Sequence, residues 1–154
     1  MSTPTPGSSV STVLYEERLW PALWIWLVAA GAAGASVVTF APINLTTGFI
    51  AATVVAVVLG TLLVLSTPRI VVTATHLTVG RATIERRFLG GASAFTGEDA
   101  TAQRGPQLNG IAYLCIRGWI SPVVRVEITD PDDPTPYWLT STRRPDRLVA
   151  ALAS

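Results

Sequence analysis

From Leu19 to Pro68 the chain contains no Asp, Glu, Lys, Arg or His, and this run is bounded by Arg18 and Arg69. One charged side chain at the centre of a membrane-spanning helix costs about 2.5–3.5 kcal/mol on insertion scales. An uncharged run long enough for two spans therefore constrains the fold more than any other feature. The pattern predicts transmembrane helices over 19–41 and 47–66, within an anchor covering 19–68. At ~1.5 Å per residue the first would extend ~34 Å, enough for a hydrocarbon core of ~30 Å with some tilt. Pro42, Ile43 and Asn44 break the apolar pattern between the spans, and so short a connection predicts a helical hairpin.

Trp20, Trp24 and Trp26 cluster at the start of the first span, where indole rings favour the headgroup boundary. Pro21 falls where a first helical turn tolerates a missing N–H. Gly48, Ala52, Ala56 and Gly60 recur every fourth residue, and Gly31 with Ala35 offers a similar patch on the first span. Small residues at this spacing let two helices approach closely. Closure of the intramolecular hairpin is the simpler use of the ladder, and a face for a second copy the alternative. Arg18, Arg69, Arg81, Arg86 and Arg87 flank the spans while the connection carries no charge. The positive-inside rule then predicts a multi-pass protein of the cell membrane with both termini cytoplasmic.

Charge is distributed unevenly: apart from Glu16, Glu17 and Arg18, every charged residue follows Pro68. Three regions result: a disordered polar leader over 1–18, the anchor, and one cytoplasmic β-rich domain over 69–154. The leader has no cationic start, and the apolar segment after it is too long for a signal core. A formal net charge of +1 gives no cationic footprint for nucleic acid, which is not expected as a partner. Cys115 is the single cysteine, so no intrachain disulfide and no cysteine-based metal cluster can form.

After Arg69 the hydrophobic period changes to two, the mark of half-buried strands. Strands are predicted at 70–73 and 77–79, with a turn at Ala74-Thr75-His76, and at 82–85, 112–116, 123–129 and 137–141. A looser one is predicted near 92–95. Val124, Val126 and Ile128 alternate with Arg125, Glu127 and Thr129, predicting an antiparallel sheet with one face on a core and one in water. Residues 97–109 read as a loop with at most one helical turn around 98–103. Asp130-Pro131-Asp132-Asp133-Pro134-Thr135-Pro136 reads as a turn; it lacks the glycine and distal glutamate of a calcium loop. Pro145 suits a first helical position, with Leu148, Val149 and Leu152 on one face of a short closing helix.

Two stretches carry a family resemblance: Tyr15-Glu16-Glu17-Arg18-Leu19-Trp20-Pro21, and Arg125-Val126-Glu127-Ile128-Thr129-Asp130-Pro131 running on through Thr135 to Pro145. Together they resemble the actinobacterial membrane proteins grouped as domain of unknown function 3093, over about Tyr15 to the C-terminus. The resemblance implies a two-helix membrane protein with a cytoplasmic β-rich domain and brings no activity. The expected fold is α+β: a transmembrane hairpin, then a small antiparallel β domain closed by a C-terminal helix. That layout is similar to membrane-tethered pleckstrin-homology-like domains, an analogy that transfers no function.

No nucleophile elbow, phosphate loop or dinucleotide fingerprint is present, and His76 is the only histidine. No catalytic residue, cofactor or metal is expected. The best candidate site is Thr142, Arg143 and Arg144, where hydroxyl, guanidinium and helix N–H groups at a strand-to-helix corner suit a phosphate or carboxylate. Arg69, Arg86 and Arg87 suit anionic headgroups nearer the bilayer. The expected function is a non-enzymatic interaction platform for a protein partner, a second copy or the lipid surface. An accessory subunit of an envelope or transport complex is the alternative, and an enzyme on a membrane-borne substrate a third reading.

Overall fold

The computed structural model describes residues 12–154, and two compact units emerge: Arg18–Pro68, and the segment up to Glu17 together with Arg69–Ser154. The leader expected over 1–18 lies outside the described residues as far as position 11. Its last part corrects the expectation, because Val13–Arg18 is a β-strand, β1.

The first unit is a helical hairpin of α1 (Leu23–Phe40) and α2 (Leu45–Leu65). Both helices are long and apolar enough to cross a membrane. Helix α1 begins four residues later than the sequence suggested. Leu19 still donates its N–H to the Pro68 carbonyl at 3.0 Å, so the entering and leaving chains run side by side there. Pro21 therefore precedes the helix, and Ala22 is the N-cap. At the other end the Asn44 side chain caps α2 by accepting from the Thr46 N–H at 2.9 Å, satisfying one orphan donor of the first turn.

The small-residue ladder serves the hairpin only in part. A Cβ at Gly48 would meet the Val37 carbonyl oxygen at 3.0 Å and its Cα at 3.2 Å, so glycine permits the close crossing of α2 over α1. Gly60 and Gly31 have nothing within 4 Å of such a Cβ, and Ala35 and Ala56 are exposed, with Ala52 half-buried. The helix repeat explains this: four residues turn ~400°, so each step of the ladder drifts ~40° and three steps carry Gly60 off the face that Gly48 presents. Gly48→Leu is expected to lower hairpin stability by about 1–3 kcal/mol through overpacking against backbone. Gly60→Leu should change it by under about 0.5 kcal/mol. Thermal unfolding of the two variants in one detergent separates them.

The second unit holds two four-stranded sheets. Sheet one runs β1-β2-β3-β4, with β2 Arg69–Thr73, β3 His76–Val79 and β4 Ala82–Glu85. His76 thus opens β3 rather than standing in the turn. Gly80 turns the chain between β3 and β4 at φ 63, a left-handed position suited to glycine, while its N–H donates to the Arg69 carbonyl at 2.8 Å. Since β1 and β2 are neighbours, the helical hairpin is an insertion between two adjacent strands of one sheet.

A 3-10 turn at Arg86–Phe88 leads into sheet two, ordered β5-β7-β8-β6, with β5 Leu89–Phe95, β6 Tyr113–Cys115, β7 Val123–Ile128 and β8 Tyr137–Ser141. The sheet is not wholly antiparallel as expected: β6 runs parallel to β8, pairing Leu114 with Leu139. The segment read as a loop contains an eight-residue helix, α3 (Gly97–Arg104). The closing helix α4 is Pro145–Ala153, with proline in its first turn.

The expected water face of sheet two is kept only in part, at Glu127 of β7 and along β5. All five residues of β8 are buried, as are Val123, Val124 and Val126 of β7. On one side Ala100 of α3 joins Val123, Tyr137 and Leu139 in a core edged by Phe95, Leu108, Ala112 and Ile116. On the other, α4 packs over β5 and β7, with Leu148 buried. Helices on both faces bury β8 throughout, while β7 keeps its alternation, with Val124 and Val126 buried, Arg125 half-buried and Glu127 exposed. The Tyr113 hydroxyl joins the sheets by donating to the Val79 carbonyl at 2.9 Å.

Candidate functional site

The Thr142–Arg144 corner binds an anion, but the anion belongs to the chain. Strand β8 delivers Thr142 fully buried at its end, its N–H donating to the Pro122 carbonyl at 3.1 Å. Strand β1 brings the Glu17 carboxylate to the same point. Glu17 Oε1 accepts the Arg143 N–H at 2.9 Å, and Oε2 accepts the Tyr15 hydroxyl at 2.6 Å and the Thr142 hydroxyl. Thr142 Oγ1 in turn accepts the Arg144 N–H at 3.1 Å. Three donors thus converge on one carboxylate, Tyr15 from its own strand and two from the corner more than a hundred residues away. The backbone and hydroxyl donors foreseen for a phosphate or carboxylate are committed to Glu17, which corrects their expected availability, while the Arg143 and Arg144 side chains are exposed.

Tyr15 has its pKa pushed up to about 12, first by burial and then by its hydrogen bond to Glu17, whose negative charge adds to the effect. The phenol therefore remains a donor throughout the neutral range. Sequence reasoning missed Glu17 because a carboxylate beside a long apolar run carries little weight in orientation rules. The run Tyr15-Glu16-Glu17-Arg18 also lacks the apolar alternation that marks a strand.

The other arginines have separate uses. Arg86 was expected to face anions; its guanidinium instead donates to the Leu152 carbonyl at 2.8 Å, the Ala151 carbonyl at 3.3 Å and the Thr73 carbonyl at 3.4 Å. It caps the C-terminus of α4, where a cation complements the helix dipole. Arg87 pairs with Glu85 at 2.7 Å and lies 4.6 Å over the Phe88 ring, so its charge is partly neutralised locally. Arg69 is exposed. Of the tryptophans, Trp20 lies under the Arg18 guanidinium at 4.4 Å, Trp24 is exposed and Trp26 half-buried.

His76 Nδ1 is 2.8 Å from the Thr75 hydroxyl at the surface. Burial pushes the Cys115 thiol up, away from the reactive thiolate. In the acidic turn, Asp130 and Asp133 accept the N–H groups of Asp132 and Thr135 at 3.0 and 2.8 Å, so these carboxylates shape the turn itself. The bonds from Thr135 hold the Asp133 carboxyl below its usual range.

Among known proteins, one family model, described as "Protein of unknown function (DUF3093)", matches residues 14–152. No curated protein and no solved structure matches the chain.

Proposed function

The chain belongs to the DUF3093 family of proteins of unknown function, and from that premise we propose that it is a membrane-anchored, non-enzymatic interaction platform. Its hairpin spans the bilayer twice, both termini lie in the cytoplasm, and the β-rich head meets a protein partner or the anionic lipid surface. The observation that carries this reading is the exposure of the hairpin's apolar side chains. Leu23 and Leu65 are each 76% exposed, with Leu27, Val28, Val57 and Leu62 exposed between them. Such a surface is ruinous in water and ordinary in lipid.

Further features support it. Polar side chains on the helices bond inward, with Ser36, Thr39 and Thr53 donating to the carbonyls of Ala32, Ala35 and Phe49 at 2.8–3.1 Å. The hairpin also leaves from β1 and returns to β2, its neighbour, which suits two spans and a head on one side. Exposed Arg69 and Arg144 suit anionic headgroups, each such residue being worth about 1 kcal/mol near the surface. Two sheets, the second covered by the closing helix α4, support the pleckstrin-homology-like comparison as one of layout.

Washing cell membranes with alkaline carbonate tests the anchor, and the protein is expected to stay with the lipid. Trypsin applied to intact cells should leave the head whole and cut it only after permeabilisation. Release by carbonate, or cleavage from outside, overturns the reading.

The accessory-subunit reading is favoured by the open surface at Gly60 and Gly31. Loss of co-purifying partners in Gly60→Leu with the head still folded would select it.

A further inference from the structure

A cavity of about 300 Å³ lies between the end of α4 and sheet two, within the size range of small-molecule sites. Leu89, Ala92, Val126, Val149 and Leu152 give it apolar walls, and Gly90 and Gly91 supply backbone. The β5–β7 register shifts between Leu89, paired with Ile128, and Ala92, paired with Val126, so the ladder is interrupted at those two glycines. Bulges of this kind are over-represented beside functional sites. Gly90 also cannot take a larger residue without a shift, since a Cβ there would meet Glu127 Cβ at 3.1 Å and Thr129 Cγ2 at 3.2 Å.

Arg86 forms the polar wall. Its charge is half-buried and held by three carbonyls. Among the described residues it has no carboxylate partner, the ion pair nearby joining Arg87 to Glu85. The carbonyl bonds take both Nη2–H groups and one on Nη1, so of the five guanidinium N–H groups the Nε–H and one Nη1–H remain. One positive charge beside hydrocarbon, with few donors left to it, suits a monoanion with an apolar body better than a phosphate dianion, which needs more donors.

We propose that this cavity binds a short-chain carboxylate, with the carboxylate at Arg86 and the hydrocarbon against Val126, Val149 and Leu152. The site is separate from the anchor and from the Glu17 corner.

The test follows the amide resonances of Gly90 and Gly91 in the full-length protein in detergent micelles, titrated with hexanoate, hexan-1-ol and inorganic phosphate. Hexanoate is expected to shift both amides saturably. Hexan-1-ol should bind about tenfold more weakly for want of the charge, and phosphate should leave both amides in place. Ala153→Phe places a ring at the exposed mouth of the cavity and should weaken hexanoate about tenfold or more with the rest of the spectrum unchanged. Arg86→Gln, where it stays folded, should bind hexanoate no better than hexan-1-ol. Equal binding of hexanoate and hexan-1-ol by the wild type, a response to phosphate matching that to hexanoate, unimpaired binding by Ala153→Phe, or unmoved amides would each overturn the proposal.

Discussion

Replacing Leu139 with alanine is expected to lower the unfolding free energy of the head by about 2–5 kcal/mol, the range for emptying a well-packed site. Leu139 is fully buried in β8, between β7 and β6, and belongs to the core formed with Ala100, Val123 and Tyr137. Neighbours on two strands and a helix are held by their own hydrogen bonds, so the space can collapse only partly. For a domain of this size each 1 kcal/mol corresponds to about 4–8 °C in Tm. Ile111→Ala is the control: Ile111 is exposed, and its loss should move stability by under about 0.5 kcal/mol. Near-ultraviolet circular dichroism during thermal unfolding reads both, and equal effects would mean that the core is not where the packing places it.

Replacing Glu17 with alanine is expected to cost about 2–3 kcal/mol, since three hydrogen bonds to a carboxylate are lost and the buried Thr142 hydroxyl loses its acceptor. Glu17→Gln keeps the shape and one strong acceptor, and should cost about 1 kcal/mol. The variant has a spectroscopic signature in Tyr15. A pKa raised from 10.0 to about 12 means that the folded state holds the phenolic proton more tightly than the unfolded chain. The stability linked to it is therefore complete below pH 10 and lost as pH climbs through about 12. Without Glu17 the burial contribution remains while the two contributions from the carboxylate vanish, so Tyr15 should titrate lower, between those limits. Phenolate absorbance, with Tyr15→Phe as the blank, measures this directly. An unshifted Tyr15 titration in Glu17→Ala would show that the carboxylate does not sit on that hydroxyl.

Much of the architecture was legible from local pattern. The uncharged run from Leu19 to Pro68 gave two apolar helices within a few residues of their observed limits. Strands β4 and β8 fell at the predicted positions, and Pro145 opens α4 as its fixed φ suggests. The errors share a cause. β1 reads as a polar leader because its partner β2 lies beyond the whole hairpin. β6 runs parallel to β8 because Gly97–Gln107 carries the chain through α3, a direction that no alternation within β6 records.

The candidate site was legible only as a set of donors. Thr142 and Arg143 announced that an anion could sit at the corner, since hydroxyl and N–H groups before a helix favour one wherever they occur. That the anion is Glu17, and that Arg86 closes the end of α4, was decided by contacts spanning 126 residues for Glu17–Arg143 and 66 for Arg86–Leu152.

By itself the sequence determined where charge is excluded, which segments extend and which coil, because those follow from side-chain solvation and spacing within a few residues. The tertiary structure alone decided which donors remain open to a ligand, because chain closure spends some of them internally, and only the folded backbone brings carboxylate and hydroxyl to within bonding distance.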